Sequence, residues 1–197
     1  MTQPEYEPLY SLITNRTGLL LDENRQENVR RVIAALNDAG DVSGPAALAQ
    51  ELAHTPFTHR LWQQVLEVIT IGETYFFRNQ AHFNALREQV LPELIARRRA
   101  QGTLYLRLWS AGCATGEEAY SLAMLLHDLL PDRATWHISI LGTDISLGNL
   151  ERARRGLYRP WSFRSETPPD LQARWFTPAG DHVELDPAIR RMVTFAP

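Results

Sequence analysis

Residues Ser110 to Ser121 read Ser-Ala-Gly-Cys-Ala-Thr-Gly-Glu-Glu-Ala-Tyr-Ser and contain the turn that decides the fold. They follow a short apolar run, Leu104 to Trp109, and they open an apolar-periodic stretch that reaches Leu130. This order predicts a β-strand, a glycine turn and an α-helix. Gly112 and Gly116 let the backbone pass close to a ligand at the helix N-terminus, where free N–H groups and the helix dipole favour negative charge. The turn therefore predicts a site for a nucleotide-like cofactor.

The spacing of the two glycines and the acids after them narrow the choice of cofactor. The Gly-x-Gly-x-x-Gly pattern that makes room for a pyrophosphate is absent. Glu117 and Glu118 follow the turn at once, and they would repel a phosphate, whereas they can pair with an ammonium group. The next predicted strand, Trp136 to Gly142, leads to Asp144, whose carboxylate can accept both hydroxyl groups of a ribose. S-adenosylmethionine (SAM) carries a ribose, an ammonium group and no phosphate, so it fits better than NAD.

The composition is that of a globular chain. Its 197 residues, 44% of them hydrophobic, suffice for one medium domain or two small ones with a real core. A formal net charge of −3 argues against nonspecific nucleic-acid binding. The chain has one cysteine, no signal-peptide pattern, no zinc-ligand pattern and no apolar run near the ~18 residues of a membrane span. We therefore expect a cytoplasmic protein without disulfides, metal or membrane insertion.

The pattern along the chain changes from helical to alternating. Residues 5 to about 70 are predicted to form four helices: Glu5–Asn15, Asp22–Ala39, Pro45–Ala53 and Thr58–Thr70. A longer amphipathic helix is predicted from Gln80 to Ala100, and Pro92 can kink it. From Leu104 onward strands and helices alternate, which is typical of a parallel α/β sheet.

A second motif lies before the glycine turn. Residues 73 to 78 read Glu-Thr-Tyr-Phe-Phe-Arg. With this motif, the turn at 111–118 and the acidic strand end Thr143-Asp144-Ile145, the chain resembles chemotaxis receptor methyltransferases of the CheR type. The three motifs occur in the family's order, and the match continues through Ala153-x-x-Gly156-x-Tyr158 and the stretch from Trp175 to Phe195. One position departs from the family, because its asparagine before Glu-Thr is Gly72 here.

The resemblance implies an α/β fold with three parts: an all-α N-terminal domain (1–72), a linker helix with a cofactor-contacting segment (73–102), and a doubly wound, Rossmann-like methyltransferase domain (103–197). The last part contains a small antiparallel β insertion at about 174–190. In the family's sheet the first strand neighbours both the second and the fourth. The chain stops where the third parallel strand, about Arg191 to Phe195, would end. We therefore expect a truncated domain with a bare first strand, weak cofactor binding and little catalysis of its own.

The resemblance also implies the reaction and its residues. The family transfers a methyl group from SAM to glutamate side chains of bacterial chemoreceptors, which leaves S-adenosylhomocysteine (SAH). A glutamate is already ionised at neutral pH, so its attack needs alignment and partial desolvation rather than a strong base. By this resemblance Thr74 and Arg78 contact the methionine end of the cofactor, Glu117 contacts the same end or its ammonium group, and Asp144 contacts its ribose. Gly112 is the further candidate for cofactor binding. Arg78 would also orient the incoming carboxylate, which makes it the expected catalytic residue.

Several of these positions have a structural alternative. Thr74 and Asp144 can each cap a helix N-terminus, although Ser146 can equally cap the helix after Asp144. The three aromatic residues at 75–77 favour core packing over base stacking. Cys113 is predicted to be a small apolar residue rather than a nucleophile.

The family docks receptors through its helical domain, which points to the second predicted helix. There, Arg25, Arg30 and Arg31 are the candidates for contact with an acidic receptor helix. Some family members also bind a receptor's C-terminal peptide through the β insertion by strand addition, and the sequence leaves this open here. The basic runs at 97–99 and 152–155 are predicted to be solvated faces.

Two other classes of function stay open at this stage. The missing strands favour a noncatalytic module for receptor docking or for sensing SAM and SAH. A nicotinamide oxidoreductase shares the strand, turn and helix, but the glycine spacing and Glu117 oppose it.

Overall fold

The computed structural model describes residues 4–70, 72–164, 167 and 169–197. The chain divides into two compact units, of which the first holds the residues up to 71 together with 145–148. The second holds residues 72–144 and 149–197. In the described part of the chain, no helix combines the length and the apolar character needed to cross a membrane.

The first unit is built from four α-helices, and every bound lies within two residues of the sequence prediction. They are α1 (Glu7–Thr17), α2 (Glu23–Asp38), α3 (Pro45–His54) and α4 (Arg60–Ile69). Local signals fix their ends. The Asp22 carboxylate accepts a hydrogen bond from the Arg25 backbone N–H at 2.9 Å and so caps α2. Gly18 ends α1 with a positive φ of 73°, a conformation that suits glycine.

The helices enclose one hydrophobic core that includes a segment from later in the chain. Trp62 is fully buried in this core, and its indole N–H donates to the Leu52 carbonyl at 3.0 Å. Ile145 packs against the same core. The Gln63 amide holds this segment from both sides, because its Nε2 donates to the Ile145 carbonyl at 3.1 Å and its Oε1 accepts from the Leu147 N–H at 2.7 Å.

The helix predicted over 80–100 is interrupted. It consists of α5 (Gln80–Ala85), a π-helical turn (Leu86–Val90) and α6 (Leu91–Ala100). In the π-helical turn the Leu91 N–H donates to the Leu86 carbonyl, one residue further back than in an α-helix. Pro92 has no N–H and its ring crowds the carbonyl four residues earlier, so the irregularity lies just before the proline rather than at it.

The second unit contains the predicted parallel sheet. Its strands are β1 (Tyr105–Ala111), β2 (His137–Thr143) and β6 (Val193–Ala196), in the order β1-β2-β6, and all are parallel. Helix α7 (Glu117–Leu129) connects β1 to β2. The prediction of an α/β chain with a parallel sheet is confirmed.

The two faces of this sheet differ. One face carries the buried residues Leu106, Ile140 and Phe195. The other carries Trp109, which is 69% exposed, and its register partner Leu141. β1 pairs with β2 along one edge, and no described strand pairs with its other edge.

A second, antiparallel sheet follows helix α8 (Leu147–Arg155). Its strands are β3 (Leu157–Tyr158), β4 (Phe176–Ala179) and β5 (His182–Leu185), in the order β3-β5-β4. Helix α9 (Pro169–Trp175) precedes β4, and α10 (Pro187–Arg190) follows β5. The predicted range of the β insertion, about 174–190, is wrong in two details. Trp175 ends α9 instead of beginning the insertion, and the centre of its ring lies 4.6 Å from that of His127. Strand β3 lies before the predicted range.

Candidate functional site

The glycine turn that the sequence predicts after β1 has positive φ angles at three positions. Gly112 has a φ of 68° and Gly116 a φ of 93°, and Ala114 between them also has a positive φ of 46°. At Gly116 a side chain is excluded, because a Cβ there would lie 2.9 Å from the Cβ of Ala153. The Cys113 N–H donates to the Thr143 carbonyl at 2.9 Å. The turn is therefore tied to the end of β2, and Gly116 packs closely against the helix that contains Ala153.

Asp144 lies directly beside this turn. Its Oδ2 accepts a hydrogen bond from the Ala114 N–H at 2.8 Å, across 30 residues of sequence. The structure thus brings together the glycine turn and the acidic strand end that the sequence predicted separately. Helix α8 begins at Leu147, whose backbone N–H donates to Gln63 Oε1.

Glu117, the first residue of α7, is completely buried. Its Oε2 accepts a hydrogen bond from Thr115 Oγ1 at 2.6 Å, and its Oε1 accepts one from Ser162 Oγ at 3.0 Å. Burial raises the pKa of this carboxyl group, and the hydrogen bonds oppose that shift only in part. A carboxylate held in this way favours a cationic partner, because a buried charge is costly until it is paired.

The segment at 73–78 is bound to the first turn of α7. The Phe76 N–H donates to the Ser162 carbonyl at 3.0 Å, and the Phe77 N–H donates to Ser121 Oγ at 3.0 Å. Ser121 Oγ in turn donates to the Glu117 carbonyl at 2.6 Å. Thr74, which is buried, therefore lies in a segment fixed to the same helix end as Glu117.

The alternatives for this segment are now decided. Phe76 and Phe77 are buried, which confirms core packing for these two, and the centre of the Phe76 ring lies 4.8 Å from that of Tyr158. Tyr75 is only partly buried, and the Arg164 guanidinium lies 4.8 Å from its ring centre. The helix-cap interpretation of Thr74 is wrong, since the residues after it form a turn and α5 begins only at Gln80.

Arg78 is exposed and folds back on its own segment. Its guanidinium donates to the carbonyl of Glu73 and lies 5.7 Å from the ring centre of Tyr75. The Glu73 side chain pairs with Arg164 at 2.8 Å. These contacts hold a positive charge next to the backbone of Thr74, and they leave the exposed side of the guanidinium for an anionic group.

Cys113 behaves as the small apolar residue that the sequence predicted. It is buried, and burial together with the charge of Asp144 raises the pKa of its thiol to about 12. The thiol is therefore protonated at neutral pH and is a poor nucleophile. Among the described residues, no three His, Cys, Asp or Glu side chains are grouped closely enough to hold a metal ion.

Sequence reasoning missed the residues that hold Glu117 in place. Ser162 lies 45 positions away and Tyr158, whose hydroxyl donates to the Thr115 carbonyl at 2.9 Å, lies 43 positions away from Thr115. Neither has a local sequence signal for this role. Thr115 is the exception, because a hydroxyl two residues before the candidate acid Glu117 is visible in the sequence.

The predicted arginines of the helical unit differ in exposure. The Arg25 Nε donates to the Ile69 carbonyl at 2.9 Å, and Arg30 binds Glu27 at 2.8 Å and the Tyr10 hydroxyl at 3.2 Å. Their side chains are 22% and 28% exposed, whereas Arg31 is 73% exposed. Of the three, Arg31 is the most available to a partner.

The arrangement suits a ligand with three polar features. A buried carboxylate can pair with an ammonium group, a strand-end carboxylate can accept a hydroxyl, and an exposed guanidinium can bind a carboxylate. The methionine end and ribose of SAM carry these groups, and Gly112, where a Cβ would meet only open space, leaves room for such a ligand.

Comparison with known proteins agrees with this geometry. The family profile described as "CheR methyltransferase, SAM binding domain" matches residues 72–197. A chemotaxis protein methyltransferase of Borreliella burgdorferi is 30% identical over 159 residues, which are 80% of this chain and 56% of the relative. A probable chemotaxis protein methyltransferase of Rhizobium etli is 33% identical over 74% of this chain and 54% of the relative.

A third relative is similar along the whole chain. The chemotaxis protein methyltransferase of Escherichia coli is 30% identical over 203 aligned residues, which cover 100% of this chain and 66% of the relative. The chain spans about half the length of the first two relatives and about two thirds of the third.

Proposed function

The chain belongs to the CheR methyltransferase family, and from this premise we propose that it acts in the transfer of a methyl group from SAM to glutamate side chains of bacterial chemoreceptors. Its residues 72–197 match the family's SAM-binding domain. The observation that carries the proposal is the buried Glu117 beside a glycine turn that also contacts Asp144.

Each site residue has a separate role in this proposal. Glu117 pairs with the cofactor's ammonium group, because its buried carboxyl group is held by two neutral hydroxyls and gains from a cationic partner. Asp144 accepts the ribose hydroxyls, and Gly112 leaves space for the ligand backbone. Thr74 and Arg78 hold the cofactor's carboxylate, and Arg78 also orients the incoming glutamate.

The reaction needs little acid or base catalysis. When bound, SAM supplies an electrophilic methyl group. The glutamate substrate is already ionised at neutral pH, so the protein's part is to align its carboxylate and to exclude water. The planar guanidinium of Arg78 suits this alignment, because it can hold a carboxylate through paired hydrogen bonds.

The wider architecture is also part of the proposal. We propose that residues 1–72 form a receptor-docking domain, that 73–102 are a linker with the cofactor-contacting segment, and that 103–197 contribute to a larger doubly wound sheet. The exposed sheet face around Trp109 supports the last point, because parallel sheets are normally covered on both faces. Docking would use Arg31 foremost, and the cytoplasm would be the working compartment.

Calorimetric titration with SAH tests the cofactor site. We expect binding by this chain, with loss of binding in Asp144→Ala and no change in Asp38→Ala, an exposed aspartate of the helical unit. NAD at the same concentration should not compete. Binding of NAD in place of SAH, or an equal effect of both substitutions, would contradict the proposal.

A further inference from the structure

A cavity opens beside the cofactor turn, within the second unit. Its volume is about 600 Å³. Thr115, Glu117 and Ser162 form part of its wall, so it shares residues with the predicted cofactor site. Basic and aromatic residues dominate the rest of the wall: Arg152, Arg155, Tyr158, Arg159, Trp161 and His182. We call this space the arginine cavity.

Three arginines give the cavity its charge. Arg152 and Arg155 are one helical turn apart on α8, and Arg159 follows strand β3. The Arg159 Nε lies 3.2 Å from His182 Nε2. The sequence prediction of a solvated face at 152–155 is therefore incomplete, since Arg152 and Arg155 line a cavity.

Acidic residues pair with two side chains of the cavity wall. Arg155 pairs with Glu151, and His182 pairs with Asp181, but both acids are outside the cavity wall and their side chains are 63% and 81% exposed. Among the described lining residues the one carboxyl group is that of Glu117, which is buried and bound by two hydroxyls.

The wall also has an apolar part. Trp161 is 50% exposed and Leu157 is 44% exposed, and both line the cavity. A carboxylate on an aliphatic stem can use both parts, because guanidinium groups bind carboxylates through paired hydrogen bonds while the stem packs on the indole. A phosphate has no aliphatic stem that could pack on the apolar part of the wall.

We propose that the arginine cavity binds an acidic side chain of the polypeptide substrate, next to the glutamate that is methylated. This proposal rests on the proposed function and adds a specificity site to it. Because Thr115 and Glu117 belong both to the cavity and to the cofactor turn, an acid held here places the neighbouring residues of the same polypeptide close to the methionine end of the cofactor. The site would select substrates with clustered acidic residues.

Fluorescence anisotropy at low salt tests this selection with a short labelled peptide of glutamate and alanine. Its counterpart with glutamine in place of glutamate is the ligand control. We expect Arg159→Glu to weaken binding of the acidic peptide about tenfold. Arg97→Glu, on the exposed face of α6, makes the same change of charge outside the cavity and should leave binding unchanged. Arg159→Gln serves as a milder variant if charge reversal prevents folding.

Several results would overturn the proposal. Equal weakening by the two charge reversals would mean a general charge effect, and equal affinity for the glutamine peptide would exclude carboxylate recognition. Binding of inorganic phosphate that depends on Arg159, without such dependence for the peptide, would assign the cavity to phosphate.

Parallel titration with SAH separates the two proposals. A chain that binds SAH but whose peptide affinity ignores Arg159→Glu keeps the proposed function and loses the specificity site. A chain whose peptide binding depends on Arg159 but which does not bind SAH keeps the specificity site and loses the proposed function.

Discussion

The helical unit and the region around the glycine turn bury different kinds of residue. In the described part of the helical unit the buried side chains are apolar, with Ser146 as the one polar exception. Around the glycine turn the protein buries Thr74, Ser110, Glu117, Ser121 and Ser162. Burying polar groups lowers stability unless each is paired, so their concentration in one place marks the region that is shaped for a ligand rather than for packing.

The largest expected effect tests the packing side of this comparison. Trp62→Ala in the helical core should lower the free energy of unfolding by about 3–5 kcal/mol, since it leaves a cavity and removes the indole hydrogen bond to Leu52. Chemical denaturation measures this change. Trp109→Ala is the matched control, because the exposed indole of Trp109 should cost much less; similar losses at both positions would contradict the burial assigned here.

A smaller effect tests the close packing under the turn. Gly142→Ala would place a Cβ 2.7 Å from the ring of Phe195, so we expect a loss of about 1–3 kcal/mol in the free energy of unfolding. Gly148→Ala meets only the Ser146 hydroxyl at 3.9 Å and should be close to neutral. Thermal melts of the two variants, followed by circular dichroism, would show the difference, and equal melting temperatures would argue against it.

The next prediction separates stability from ligand binding. Glu117→Gln keeps the shape and much of the hydrogen bonding of the buried side chain but removes its charge, so unfolding should be little affected. Affinity for SAH should fall about tenfold, because the partner of the ammonium group is lost. Exposed Glu93→Gln is the control. A large loss of stability with unchanged affinity would assign Glu117 to packing.

The pH dependence should show the smallest effect. Because the folded protein raises the pKa of Glu117, the contribution of its protonated form to stability is complete below the ordinary value of 4.5 and is lost as pH rises through the raised pKa. SAH affinity should change in the opposite direction and rise over the same pH range, as the carboxyl group ionises. Titrations across that range should show this slope in the natural protein and no such slope in Glu117→Gln.

The structural features that depend on residues close together in the sequence could be predicted. The strand, turn and helix around residues 104–130 follow from apolar periodicity and glycine spacing, and the helices of the first unit follow from periodicity and caps. Asp144 is recognisable because it comes directly after a strand. The burial of Phe76 and Phe77 could also be predicted, because large apolar aromatic side chains favour the core.

The rest depends on contacts between distant residues. Ser162 reaches Glu117 only because a short turn after β3 folds against the start of α7, and no local pattern indicates that approach. The arginine cavity likewise forms from a helix, a strand end and a hairpin, so a run of arginines at 152–155 looks like a solvated face until the fold is known. In the π-helical turn before Pro92 a backbone N–H donates to the carbonyl five residues earlier, and apolar periodicity does not reveal this change.

The exposed tryptophans make the two proposed sites optically distinct. Of the five tryptophans, Trp62, Trp136 and Trp175 are buried, whereas Trp109 and Trp161 are exposed. The Trp109 indole donates to Thr143 Oγ1 at 2.9 Å, one residue before Asp144, and Trp161 lines the arginine cavity. A soluble quencher such as iodide should therefore quench the fluorescence of Trp109 and Trp161 before that of the buried tryptophans. SAH should shield Trp109 and an acidic peptide should shield Trp161, so loss of the shielding in Trp109→Phe or in Trp161→Phe identifies which site is filled.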